Sequence, residues 1–240
     1  MIPYVSIDIE TTGLDPESCQ IIEFAAVIDN WLDPVDKLPT FQTYVRHWKI
    51  QGEPFALAMN SAILKEIANC KQVEFEPPFT TEKLLLTQFA KWLRDHGIDP
   101  LDIQPAGKNF ASFDRQFLQK LTGYRSHVKF KHRTIDPAMF YWTPGEDVPN
   151  TEECKKRATV HSKRVCHRAL DDALDVVDLV REHWYRAYQA FAPCPILMPP
   201  AGDIIPSVLP EDVPIAWKRS TNGPPDFENT PRFDDPTEHM

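Results

Sequence analysis

Apolar and polar residues alternate near the start of the chain, and this pattern predicts a β-strand over residues 4–10. Val5, Ile7 and Ile9 are separated by polar residues, and a period of two is typical of a strand. Turn-forming residues at 11–16 end this strand. Two further strands are predicted over residues 20–28 and 41–48. Three early strands indicate an antiparallel start to the sheet.

A helical period appears in the rest of the chain. It is clearest from Ala169 onward, where apolar residues recur every three or four positions as far as Phe191. Gly97 and Gly123 are typical stops for two earlier helices. Helices are predicted over residues 54–68, 81–96 and 112–121, and short strands over 103–106 and 133–136. Strands come first along the chain, and later strands are interspersed with helices. This order predicts an α/β fold with a mixed sheet flanked by helices.

The composition is that of a globular protein. The chain has 240 residues, of which 42% are hydrophobic, so it can bury a sizeable core. No run approaches the roughly 18 apolar residues of a membrane span, and the start lacks the features of a secretory signal. We therefore expect a soluble, cytoplasmic protein without a membrane partner. Five cysteines without CxxC spacing argue against a disulfide framework or a zinc knuckle.

The C-terminal segment differs from the rest of the chain. Residues 193–240 contain 11 of the 23 prolines and carry a net charge of −5, out of −9 for the whole chain. Apolar residues such as Ile196 and Trp217 follow no helical or strand period there, so the segment cannot easily build its own core. We expect one domain over residues 1–192, followed by an extended acidic tail that packs on the domain in part.

Four carboxylates are candidates for chemistry. Asp8 and Glu10 lie two apart in a predicted strand and therefore face the same side. Alone, such a pair is more typical of a solvated strand face, although hard divalent cations also favour it. Asp114 and Asp172 each stand where a helix is predicted to begin. Asp172 lies toward the apolar side of its helix, so a cation is expected close to it. The other acids of that helix are interpreted as a solvated stripe, formed by Asp171, Asp175, Asp178 and Glu182.

Three motifs, in order, resemble those of the DEDDh proofreading-type exonuclease superfamily. They are Asp8-Ile9-Glu10-Thr11-Thr12-Gly13-Leu14, the block from Asn109 to Asp114, and His167-Arg168-Ala169-Leu170-Asp171-Asp172. The resemblance covers about residues 3–190 and implies a ribonuclease H-like fold and a metal-dependent 3′-to-5′ exonuclease that releases nucleoside 5′-monophosphates. It implies that Asp8, Glu10, Asp114 and Asp172 hold two divalent ions, Mg²⁺ or Mn²⁺. His167, five residues before Asp172 as in the histidine subclass, is implied as the general base.

The resemblance also implies a set of substrate contacts. In similar exonucleases the turn after the residue at the position of Glu10 holds the terminal nucleotide, and the residue at the position of Leu14 is wedged between the last bases. Alternatively, Leu14 folds back on the core. Asn109 stands five residues before Asp114, whereas the family usually has four. The implied substrate-binding residues are Thr11, Thr12, Gly13, Leu14, Asn109, Phe110, Phe113 and Arg164.

Basic residues concentrate beside the second and third motifs. Twelve of the 23 bases of residues 1–192 fall in two windows without acids, 115–133 and 155–168. Phosphate contacts are the favoured use, and a solvated basic face is the alternative. The partners implied are 3′ ends of single-stranded DNA or RNA, with DNA favoured, and the family also allows a homodimer or a polymerase partner.

Two other functions are weighed against the exonuclease. A non-catalytic nucleic-acid-binding or regulatory module on the same fold is disfavoured because all five active-site positions are intact. A haloacid dehalogenase-type phosphatase would need Asp-x-Asp in place of Asp8-Ile9-Glu10, with an aspartyl nucleophile.

Overall fold

A five-stranded sheet forms the centre of the protein. The computed structural model describes residues 2–70, 78–160 and 168–191, and side chains as far as 188. The strands are β1 (Tyr4–Thr11), β2 (Ile21–Asp29), β3 (Thr40–Arg46), β4 (Phe79–Thr81) and β5 (Pro105–Ala106). They follow the order β4-β3-β2-β1-β5 across the sheet.

The sheet is mixed, as predicted. β2 runs antiparallel to both β1 and β3, whereas β4 is parallel to β3 and β5 is parallel to β1. Because β1 and β3 run in the same direction on either side of β2, their C-terminal ends lie at the same edge of the sheet. Glu10, near the end of β1, and Arg46, at the end of β3, lie at this edge.

Six α-helices flank the sheet in the described part of the chain. They are α1 (Pro54–Met59), α2 (Ser61–Asn69), α3 (Glu82–Asp95), α4 (Asp114–Lys120), α5 (Thr151–Arg157) and α6 (Ala169–Phe191). α3, α4 and α6 fall where the sequence predicts helices. The ribonuclease H-like α/β fold expected from the motifs is therefore confirmed.

Three predicted elements differ from the structure. The helix predicted over 54–68 is divided at Asn60, whose side-chain amide donates to the backbone oxygen of Thr11 at 2.9 Å. The strand predicted over 103–106 is reduced to the two residues of β5. The strand predicted over 133–136 is reduced to a single bridge at Ile135, because Asp136 accepts a hydrogen bond from Ala138 and starts a 3-10 helix there.

Both faces of the sheet are covered. One face packs against α3 and α4 through a large aromatic and aliphatic cluster, in which the rings of Phe24 and Phe89 lie 4.9 Å apart. The other face packs against α6 through Ala173, Val177 and Val180, all of which are fully buried. α6 thus crosses β1 and β2 on the side opposite to α3, and its first turn is held against the sheet.

The acidic stripe predicted for α6 is only partly solvated. Asp171 is exposed, but Asp175 is buried and forms an ion pair with the buried Lys155 of α5. Burial also raises the pKa of Asp178 to about 6, with a further contribution from Asp175. The prediction of one solvated face is therefore wrong for Asp175, because α5 packs on this side of α6.

No described helix is both long and apolar enough to span a membrane. The predicted tail, residues 193–240, lies outside the described residues.

Candidate active site

Three structural elements bring carboxylates together at one end of the sheet. Asp8 and Glu10 are near the end of β1, Asp114 is the first residue of α4, and Asp172 lies in the first turn of α6. Oxygen atoms of Asp8, Glu10 and Asp172 all lie within 4.8 Å of one another. Asp114 lies beside β1, where its Oδ1 accepts a hydrogen bond of 3.1 Å from the backbone N–H of Ile9.

The carboxylates repel one another. Burial raises the pKa of Asp8 well above its usual range, and Asp114, Asp172 and Glu10 raise it further. Burial and then Asp172 raise the pKa of Glu10 to about 7. Burial also raises the pKa of Asp114 to about 7, although its backbone hydrogen bonds act in the opposite direction. Concentrated negative charge of this kind makes the ionised site costly unless a cation is added.

The donor set fits a hard divalent cation. Carboxylate oxygens are the ligands that Mg²⁺ and Mn²⁺ prefer, and the oxygens of Asp8, Glu10 and Asp172 converge within a distance that one ion can bridge. The pKa values of Asp8 and Glu10 are raised partly because neighbouring carboxylates repel them, and a bound cation would neutralise this negative charge. The residues present therefore fit the metal that the motifs imply.

The turn after Glu10 is built by its own side chains. The hydroxyl of Thr11 donates to the backbone oxygen of Gly13 at 2.7 Å, and the hydroxyl of Thr12 accepts from the N–H of Gln20 at 2.8 Å. Thr12 is fully buried, and both hydroxyls stabilise the turn. Leu14, in contrast, is 74% exposed. Of the two alternatives for Leu14, the structure shows the exposed one.

The second motif divides between core and surface. Asn109 is exposed, has a φ of 58°, and donates its backbone N–H to Asp136. Phe113 is half-buried against Phe117. Phe110 is fully buried, with its ring 5.3 Å from that of Phe130. The ring of Phe110 has no surface to offer a substrate, which corrects the expectation for this residue.

Two predicted site residues lie outside the described residues. They are His167, expected as the general base, and Arg164, expected to bind substrate. The described chain resumes at Arg168, whose side chain contacts Tyr44 and lies 3.5 Å from a carboxylate oxygen of Glu23.

Glu23 is a site neighbour that the sequence analysis missed. It stands opposite Glu10 in the register of β1 and β2 and is fully buried. Its carboxylate accepts hydrogen bonds from the side chain of Gln42 at 2.6 Å and from the backbone N–H of Ala169 at 3.3 Å. Glu23 thereby fixes the start of α6, which carries Asp172. A single charge within the apolar run of residues 21–28 was the signal available in the sequence.

Much of the basic charge in the two windows is used within the protein. Lys155 is buried with Asp175, and the guanidinium of Arg115 donates to the backbone oxygen of Lys131 and lies over the ring of Phe110. Further ion pairs join Lys120 to Glu17, Lys131 to Asp102, Lys156 to Glu152 and Arg157 to Glu146. Several bases of the two windows are therefore paired within the described part of the chain.

Comparisons with known proteins agree with this fold. The RNase_T exonuclease family model matches residues 5–180. Exonuclease I from Methylocaldum szegediense is 14% identical with a TM-score of 0.54, and the match covers 80% of this chain and 43% of that one. E. coli Exonuclease I in complex with a dT13 oligonucleotide is 15% identical with a TM-score of 0.54, again covering 80% and 43%. A full-length 3′-exonuclease is 16% identical with a TM-score of 0.53, covering 77% and 82%.

The chain thus spans about two fifths of the length of the Exonuclease I chains that it matches. At this identity, the structural likeness shows the fold. The comparison with curated proteins finds no match.

Proposed function

The chain belongs to the RNase_T exonuclease family, and on that premise we propose that it is a metal-dependent 3′-to-5′ exonuclease acting on single strands. The observation that carries this proposal is the convergence of Asp8, Glu10 and Asp172 within 4.8 Å, with Asp114 bonded to the backbone between the first two. A site of this charge is destabilising in a protein that does not use it.

The carboxylates of Asp8, Glu10, Asp114 and Asp172 hold two divalent ions, Mg²⁺ or Mn²⁺. When bound, these ions stabilise charge on the attacking and leaving oxygens of the phosphodiester and favour a water nucleophile near neutral pH. Glu23 keeps the start of α6, and with it Asp172, in place through the bond to Ala169. The side chain of Asn60 opposes the effect of burial by lowering the pKa of Glu10.

His167 acts as the general base. Its imidazole nitrogen takes the proton of the attacking water, and an unperturbed imidazole, with a pKa of about 6.5, is mostly neutral at working pH. The five-residue interval to Asp172 supports this assignment, since the interval is that of the histidine subclass.

The terminal nucleotide lies against the turn that follows Glu10. Leu14 is exposed at this turn, and its backbone N–H donates to the carboxylate of Glu53 at 3.2 Å, which holds the backbone of the turn. We propose that Leu14 is wedged between the last two bases. The pocket beneath it is formed by Thr11, Thr12 and Gly13. We assign contacts with the adjoining nucleotides of the nucleic acid to Asn109, Phe113 and Arg164.

Single-stranded DNA is the favoured substrate. The supporting observation is that a structural neighbour, E. coli Exonuclease I, binds a dT13 oligonucleotide. RNA 3′ ends are the competing substrate, and assembly with a polymerase or a second copy stays a prediction.

The proposal is tested with strands labelled at either end. With Mg²⁺ or Mn²⁺, a 5′-labelled strand should give a ladder that shortens from the 3′ end, and a 3′-labelled strand should release a labelled mononucleotide at once. EDTA should abolish both. Binding of the strands without any hydrolysis in either metal would favour the alternative, a non-catalytic binding module. RNA strands of the same sequence identify the preferred sugar.

A further inference from the structure

An exposed tryptophan follows β3 at the edge of the sheet that carries the carboxylates. β3 is parallel to β1, so the loop after Arg46 leaves the sheet beside the end of β1. The side chain of Trp48 has a relative exposure of 105%, so nothing in the described chain covers the ring. An indole is a large apolar surface, and it is usually packed at least in part.

The backbone on both sides of Trp48 is held in place. The side chain of His47 is 3% exposed, and its Nε2 lies 2.6 Å from the backbone oxygen of Ile21. The amide of Gln20 donates to the backbone oxygen of Lys49 at 3.1 Å and accepts from the N–H of Gln51 at 2.8 Å. Trp48 is therefore presented to solvent from a fixed loop.

The loop of residues 47–53 adjoins the turn that carries Leu14. The backbone N–H of Glu53 donates to the backbone oxygen of Thr12 at 2.7 Å, and the carboxylate of Glu53 accepts from the N–H of Leu14. Gly52 lies so close to Thr12 that a Cβ at this position would come within 2.2 Å of its backbone oxygen. The exposed side chains of Leu14 and Trp48 thus belong to two segments that are bonded to each other.

Basic residues line the same cleft as the tryptophan. The basic residues that line this open cleft beside Trp48 are Arg46, Lys49 and Lys83. The cleft also contains one acidic residue, Glu82. The carboxylate of Glu82 lies 3.5 Å from Nδ1 of His47. This local excess of cations stands out in a chain with a net charge of −9. Cations near an exposed aromatic ring are typical of a site for a nucleic acid strand. The cations contact its phosphates, and a base stacks on the ring.

We propose that Trp48, Arg46, Lys49 and Lys83 form a second nucleotide-binding subsite, where a base upstream of the 3′ terminus stacks on the indole. The cations contact the phosphates on either side of that base. This inference rests on the proposed function, because it takes the 3′ end to lie at the carboxylates. Stacking is tolerant of sequence, so the subsite adds affinity for longer strands rather than for particular bases.

Binding is measured by fluorescence anisotropy with 5′-labelled dT2 and dT12, in EDTA so that the strands are not hydrolysed. Trp48→Ala should weaken the binding of dT12 roughly 5- to 100-fold and leave the binding of dT2 unchanged. Trp48→Phe should retain most of the affinity for dT12. The matched control is Trp184→Ala, which removes another exposed indole, on α6. It should change neither the affinity for dT2 nor that for dT12.

Salt dependence tests the cations. The double variant Lys49→Ala, Lys83→Ala should lower the slope of log affinity for dT12 against log salt by about 1.4, or about 0.7 for each phosphate contact. An unchanged slope contradicts the assignment of these lysines to phosphates.

Unchanged affinity of Trp48→Ala for dT12 overturns the subsite and leaves the indole to a protein partner. Equal weakening of dT2 and dT12 also overturns it, because the ring would then act at the terminal nucleotide. Failure of the proposed function is separate. If wild-type protein binds dT12 but does not cleave it with Mg²⁺ or Mn²⁺, the exonuclease proposal fails while the comparison of Trp48 variants still decides the subsite.

Discussion

Oδ1 of Asp114 accepts the backbone N–H of Ile9 at 3.1 Å, and this bond ties the first residue of α4 to the middle of the Asp8-Ile9-Glu10 motif. The bond is buried, and it sets the second motif against the first. Asp114 therefore has two separable roles: its charge belongs to the proposed metal site, and its oxygen satisfies a buried N–H.

Asp114→Asn and Asp114→Ala separate these roles. Both should lose nearly all nuclease activity, because both remove the charge. Asparagine keeps an acceptor for Ile9, so Asp114→Asn should melt at or above the wild-type temperature in EDTA. Alanine leaves the N–H unsatisfied, which costs roughly 1–3 kcal/mol, so Asp114→Ala should melt below Asp114→Asn. The exposed Asp171→Asn is the control and should stay active. An active Asp114→Asn contradicts the assignment.

Stability without metal should fall as the pH rises from about 4 to about 7. The folded-state pKa values of Glu10 and Asp114 are raised to about 7, above the values of about 4 in an unfolded chain. Unfolding therefore releases protons in this interval, and the ionised site opposes folding above it. Mg²⁺ should raise the melting temperature more at pH 8 than at pH 5.5, because protons then compete less for the carboxylates.

Thermal melts with and without Mg²⁺ across this pH range measure both effects. Glu10→Gln should flatten the metal-free pH dependence. An equal Mg²⁺ shift at pH 5.5 and pH 8 would falsify the link between metal binding and these carboxylates.

The buried ion pair of Lys155 and Asp175 should tolerate joint replacement better than single replacement. Lys155→Met or Asp175→Leu alone removes one partner of a buried ion pair, which costs roughly 3–5 kcal/mol, whereas the double variant should lose much less. Lys91→Met breaks an exposed pair with Asp95 and should cost less than about 1 kcal/mol. Denaturant unfolding gives these free energies. Additive losses in the double variant would show that the two residues do not interact energetically.

His167→Asn should lower the rate roughly 10²- to 10⁴-fold while strands and metal still bind. Wild-type activity should fall below the pKa of the histidine in the substrate complex, and the variant should lack that acidic limb. The exposed His132→Asn serves as the control. A pH profile with the same acidic limb in His167→Asn assigns the general base to another residue.

The sequence was most informative where one local pattern sufficed. β1 and α6 were predicted because the periodic pattern of apolar residues is sustained along each element. The polar positions of β1, however, do not form a solvated face. Ser6 is fully buried there and donates to the backbone oxygen of Ala173 at 2.8 Å. The covering of this face by α6 is a tertiary effect that alternation cannot reveal.

Short elements were missed because distant contacts or small local signals define them. β4 has three residues and exists through its pairing with β3. α5 has seven residues and begins with a capping box of Asn150 and Glu153, which was visible in the sequence but not recognised. For the candidate site, the resemblance of three motifs implied Asp8, Glu10, Asp114 and Asp172, whereas the contacts of Glu23 depend on cross-strand register.

We propose that these four carboxylates bind the ions that support hydrolysis. Anomalous diffraction from crystals soaked in Mn²⁺, at the concentration that supports cleavage of dT12, shows where those ions bind. We expect manganese bound to Asp8, Glu10 and Asp172, a second ion nearby, and no ion at Asp8 in crystals of Asp172→Asn. Hydrolysis at a Mn²⁺ concentration that leaves these carboxylates without manganese would contradict it.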